Sequence, residues 1–115
     1  MNFETKWIEG VTIFKLNEKK LNTNISGLVK SEFTLLLKVK GVKKFILDLS
    51  YVESCDSSGL SAILVANKIL QSSGGSIRLA SPSEKVSNLI KITHLDRVLP
   101  VCNSVEEAFS ELKNE

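Results

Sequence analysis

The run Lys44-Phe45-Ile46-Leu47-Asp48-Leu49 is too short for a helix and continuously apolar at its centre. It reads as a central strand covered on both faces, because a strand with one wet face alternates apolar and polar residues instead. A chain that contains such a strand must also supply the layers that cover it, and the flanking segments carry the right periods. Upstream, Thr5–Ile8 and Val11–Leu16 read as strands separated by the turn dipeptide Glu9-Gly10, which predicts a tight antiparallel hairpin. Ile25, Leu28, Val29, Phe33, Leu36 and Leu37 recur at three- and four-residue intervals and predict an amphipathic helix, capped by Thr23 or Asn24 and ending near Gly41. Downstream, a helix is expected from Ser57 to about Ser72, capped by Asp56 and stopped by Gly74-Gly75. A strand Ile77–Ala80, a helix Ser83–Ile92 opening after Pro82, a short strand near Val98–Val101 and a final helix Ser104–Lys113 complete the alternation.

Strands alternating with helices after an opening hairpin predict an α/β fold, in which about four α-helices cover a mixed, mostly parallel β-sheet. With 115 residues the expectation is a single domain spanning 1–115. Apolar residues at 43% and charged residues at 24% are ordinary for a globular chain and argue against disorder. The net charge of +2 comes from side chains scattered without long blocks of one sign, which argues against a nucleic-acid stripe or a membrane-surface helix. The densest basic run, Lys38 to Lys44, is expected to be a solvated helix-to-strand connection. The opening MNFETKW has no basic cap followed by an apolar core, and no stretch approaches the ~20 apolar residues of a membrane span. A cytoplasmic location without membrane insertion follows as the expectation. Cys55 and Cys102 lie far apart with one histidine in the chain, so they read as small buried hydrophobes, not as zinc ligands or a disulfide.

The informative segment is FILDLSYVESCDSSGLSAILVANKIL, Phe45 to Leu70. A buried strand runs into a short loop that delivers Asp56-Ser57-Ser58-Gly59 to the start of a helix. Asp56 is suited to accept from the free N–H groups of the first turn, while two hydroxyls and a glycine leave that turn open to close approach. On the helix that follows, Leu60, Ile63, Leu64, Asn67 and Leu70 share one side and are expected to pack on the sheet. Ala62, Val65 and Ile69 form a second apolar stripe roughly opposite, which reads as a docking surface edged by the serine pair. Ideal helical geometry puts Ser58, not Ser57, on the side of that stripe. Catalysis is not expected. No G-x-S-x-G elbow is present, His94 in ITHLDRV reads as a structural residue at a helix end or turn, and the first strand is not followed by the acidic residues a magnesium-binding receiver domain needs. There is no phosphate-binding P-loop or dinucleotide fingerprint, so no catalytic residue, metal or cofactor is assigned.

The run Asp48 to Leu70 with its D-S-S-G-L core resembles the signature of STAS domains, in particular the stand-alone anti-sigma-factor antagonists of bacterial partner-switching systems. The resemblance continues through Gly74-Gly75, SIRLASPS and KVSNLIKITHLDRVLPVCNSVEEAF, so nearly the whole chain aligns. It implies a non-enzymatic, cytoplasmic regulator of transcription whose switch is a phosphorylated serine directly after the aspartate, here Ser57, with Ser58 as second choice. The implied partners are an anti-sigma factor with a GHKL-type ATP-binding kinase fold, which the unmodified protein sequesters, and a PP2C-type phosphatase. The implied contact residues are Asn22, Asp56, Ser57, Ser58 and Gly59, with Ala62, Val65 and Ile69 of the helix stripe. The loop Asn17 to Asn22 is one residue longer than the family pattern and places Asn22 near the position of the usual aspartate. The alternative is a non-phosphorylated STAS accessory subunit that uses the same helix as a permanent contact in a transport or signalling complex.

Overall fold

Glu9 and Gly10 both take positive φ, 48° and 84°. That pair of left-handed residues turns a two-residue hairpin with the twist that adjacent strands require. The turn joins strands β1 (Phe3–Ile8) and β2 (Val11–Leu16), antiparallel in the register Ile8 opposite Val11 and Phe3 opposite Leu16. In this computed structural model, which describes residues 1–115, β2 runs parallel to β4 (Lys44–Asp48), β4 to β6 (Ser76–Ala80), and β6 to β7 (Val101–Cys102), giving one five-stranded sheet in the order β1-β2-β4-β6-β7. Between β2 and β4 lie β3 (Lys20–Leu21) and helix α1 (Thr23–Phe33); between β4 and β6 lie β5 (Ser54–Cys55) and α2 (Ser57–Ser73); α3 (Glu84–Ile92) precedes β7 and α4 (Val105–Lys113) follows it. β3 and β5 form a separate two-stranded parallel pair. The expected α/β architecture, with its hairpin, mostly parallel sheet and four α-helices, is therefore what the chain adopts.

β4 is covered on both faces, as its composition requires. Phe45 and Leu47 join the main core with Phe14, Phe33, Leu60, Ile63 and Leu79, while Ile46 points the other way to Val11, Ala80, Ala108 and Leu112 beneath α4. Four phenylalanines lock the first layer: Phe3 stacks on Phe14 at 4.8 Å, and Phe33 meets Phe14 and Phe45 edge-on at 5.2 and 5.6 Å. Such geometry adds about 0.5–1.5 kcal/mol per pair beyond area burial. Arg78, on the α4 side of β6, is held by Glu111 and Glu115, each at 2.7 Å.

Several boundaries differ from expectation. Asn22, not Thr23 or Asn24, caps α1, its Oδ1 accepting from the Asn24 N–H at 3.0 Å. After Phe33 the helix widens into a π-helical stretch, Thr34–Val39, marked by Lys40 N donating to Leu35 O at 2.9 Å. The basic run beyond it is not wholly free, since Lys43 Nζ donates to the Ser73 carbonyl at 2.9 Å. The last strand is Val101–Cys102, preceded by a 3₁₀ turn at Leu95–Arg97, and His94 enters that turn with φ 60°, exposed. Cys102 is buried as expected, Cys55 half-buried. No helix is long and apolar enough to cross a membrane.

Candidate functional site

β4 ends at Asp48, whose Oδ1 accepts from the Ser50 N–H at 2.9 Å and turns the chain off the sheet. Val52 plugs the loop into the core, and the backbone then docks on β3: Glu53 N and Ser54 N donate to Lys19 O at 2.7 and 3.1 Å, and Asp56 N donates to Leu21 O at 3.2 Å. These bonds bring the starts of α1 and α2 side by side. Sequence reasoning missed this docking because two-residue strands carry no period to detect.

Asp56 is the N-cap of α2. Its Oδ1 accepts from Ser58 Oγ at 2.6 Å and from Gly59 N at 3.0 Å. The Ser58 hydroxyl, followed by the Gly59 N–H and weaker bonds from the N–H groups of Ser58 and Thr23, holds this exposed carboxyl below the usual aspartate range. The group is therefore ionised at neutral pH. Ser58 Oγ also lies 3.3 Å from Thr23 Oγ1. Because the Ser58 proton is committed to Asp56, Thr23 is the donor in that second bond. Ser58 is thus half-buried and occupied on both sides, whereas Ser57 is exposed and its hydroxyl is bound to no group of the protein. Cys55 Sγ sits 3.4 Å from the Asp56 carbonyl oxygen; burial and the neighbouring Asp56 charge push its thiol up to about 11, so it stays neutral.

Gly59 is buried, contrary to the expectation that it opens the turn. A Cβ there would strike the Leu21 carbonyl oxygen and approach Cys55 Sγ to 2.6 Å. The glycine is required because the first turn of α2 is pressed against β3 and β5.

Ala62 also departs from expectation: it is fully buried and cannot meet a partner. The second apolar stripe is partly covered from within the chain: α1 lies against α2, and Ala62 and Ala66 belong to the same buried core as Val29 and Phe33 of α1. Ile69 packs against that core and Val65 is half-buried, so only part of the stripe reaches solvent. The accessible ridge of α2 instead runs through Ser57, Ser61, Val65 and Lys68, spaced by three or four residues. Ser57, not Ser58, begins it. Asn22 is half-buried, on the wall of a polar cleft of about 430 Å³ that includes Lys19, Lys20 and Tyr51.

A STAS domain model matches residues 2–108. The chain belongs to the STAS domain family. Similar STAS proteins include one from Thermotoga maritima named "Putative anti-sigma factor antagonist", 37% identical over 96% of this chain and 97% of the relative. The crystal structure of a Thermotoga maritima protein described in those terms superposes with a TM-score of 0.87 at 35% identity, covering 96% of this chain and 94% of that one. The fold is also that of the Bacillus cell fate determinant SpoIIAA in its phosphorylated form, with a TM-score of 0.73 at 17% identity, covering 96% of this chain and 98% of that one.

Proposed function

We propose that this STAS chain is a cytoplasmic anti-sigma factor antagonist, a binding protein and not an enzyme. In this reading the whole chain acts as one module whose unmodified form captures an anti-sigma factor of GHKL-type kinase fold. That kinase phosphorylates Ser57, the complex separates, and a PP2C-type phosphatase resets the chain. The observation that carries the reading is the contrast between the adjacent serines: Ser57 presents a free hydroxyl, while the Ser58 hydroxyl is tied to Asp56. The name of the Thermotoga relative supports the class of partner.

The electrostatics suit a switch that changes surface and spares the fold. A phosphate adds about −1.5 to −2 charges at the first position of α2, where the helix dipole favours an anion. Beside it the ionised Asp56 already occupies the cap, so a partner shaped for a neutral hydroxyl meets a cluster of negative charge. Like-charge juxtaposition of this kind costs several kcal/mol, roughly a hundredfold or more in affinity. The partner surface comprises Asn22, Asp56, Ser57, Ser58, Val65 and the exposed edge of Ile69, with Gly59 and Ala62 holding the scaffold from within.

Intact-mass measurement after incubation with its anti-sigma factor kinase, magnesium and ATP tests the proposal. One phosphate gained by the wild type and by Ser58→Ala, and none by Ser57→Ala, is the expected result. A gain lost only in Ser58→Ala moves the switch by one residue. No gain from an active kinase that forms a stable complex indicates a permanent accessory subunit and overturns the switch.

A further inference from the structure

The two ends of the sheet are built differently. β7 closes one end with two residues, whereas β1 closes the other with six, uninterrupted by proline or bulge and exposed from Glu4 to Ile8. Short edges protect against strand pairing and long ones invite it. The hydrogen-bond phase of β1 is set by Asn17 N donating to Asn2 O at 2.9 Å, together with the Phe3–Leu16 register. In an antiparallel ladder the bonded pairs alternate, so Glu4, Lys6 and Ile8 turn their backbone groups to β2, and Phe3, Thr5 and Trp7 turn theirs outward.

We infer that two copies of this chain associate through β1, antiparallel about a twofold axis at Thr5, joining their five-stranded sheets into one. The strand is self-complementary in that register and in no neighbouring one. With Thr5 facing Thr5 of the second copy, Phe3 faces Trp7, and these outward residues exchange their free N–H and C=O groups. Glu4 then lies opposite Lys6 on the other sheet face, twice by symmetry, in the closer non-bonded positions where opposite charges attract most. A shift of two residues one way puts Glu4 opposite Glu4, and the other way Lys6 opposite Lys6; a shift of one brings bonded residues against outward ones and breaks the ladder. Pairing also covers Trp7, which is 74% exposed in the single chain. A contact limited to two edge strands stays at or below the roughly 1,200 Å² of the smaller specific interfaces, so the dimer is reversible. This association is independent of the Ser57 switch.

Sedimentation equilibrium from roughly micromolar to millimolar chain tests it. The average mass of the wild type is expected to rise with concentration from 12.7 kDa towards twice that value. Thr5→Pro removes an outward donor that β2 does not use and is expected to abolish the rise. E4K and K6E each put like charges across the twofold and are expected to weaken association at least tenfold. A mixture of E4K with K6E brings opposite charges together at both positions and is expected to associate as the wild type does. Circular dichroism checks that each variant is folded. A wild type that stays monomeric, a dimer that survives Thr5→Pro, or a folded E4K and K6E mixture that fails to associate overturns the inference.

Discussion

Along α2 two stripes a fraction of a turn apart have opposite surroundings. Gly59, Ala62 and Ala66 are buried where α1 and β3 press against the helix, whereas Ser57, Ser61 and Lys68 face solvent. Small residues on the inner stripe let neighbouring backbone come close and hold the first turn rigidly; polar residues on the outer stripe leave it free to receive a partner or a phosphate. The pairing explains how a charge can be placed on a helix start without unfolding it. Substitutions on the inner stripe should therefore change stability and those on the outer stripe binding.

The largest expected effect is at Gly59. Gly59→Ala drives a Cβ into the Leu21 carbonyl oxygen, which belongs to backbone and cannot swing away, and should cost about 2–3 kcal/mol in urea unfolding. Ala62→Leu overpacks a fully buried position and should cost about 1–3 kcal/mol by the same measurement; a neutral result would return Ala62 to the surface and erase the contrast. Ser58→Ala removes the donor that Asp56 uses at 2.6 Å and should lower Tm by a few degrees at neutral pH. Asp56 has a folded-state pKa below its unfolded value, so its contribution is fully present above the usual aspartate range and is lost as pH falls through the lowered value. The Tm gap between wild type and Ser58→Ala should therefore narrow on acidification from neutral pH to about 3. Ser57→Ala, on the outer stripe, should stay within about 0.5 kcal/mol of wild type.

Much of the fold was legible because its signals are local. The Glu9-Gly10 turn, the all-apolar centre of β4, the Asp56 cap and the Gly74 stop of α2 each depend on a few adjacent residues, and α3 and α4 start one residue after the expected Ser83 and Ser104, which serve as their caps. The site was half legible. Asp56 and the serine pair could be read as an exposed cap, yet nothing local shows that Thr23, 35 residues away, engages Ser58 and leaves Ser57 alone. The second stripe of α2 was misread for the same reason. Its apolar residues are real, but Ala62 is buried in the core that α1 joins where it lies against α2, and a helix wheel does not show which neighbour a stripe meets. The extent of β3 and β5 was equally hidden, since backbone bonds to Lys19 and Leu21 define them and not side-chain alternation.

Calorimetric titration of the proposed partner, an anti-sigma factor kinase, with unmodified and with Ser57-phosphorylated chain tests the division of labour along α2 most directly. Affinity is predicted to fall by a hundredfold or more on phosphorylation. Equal affinities for the two forms would contradict it.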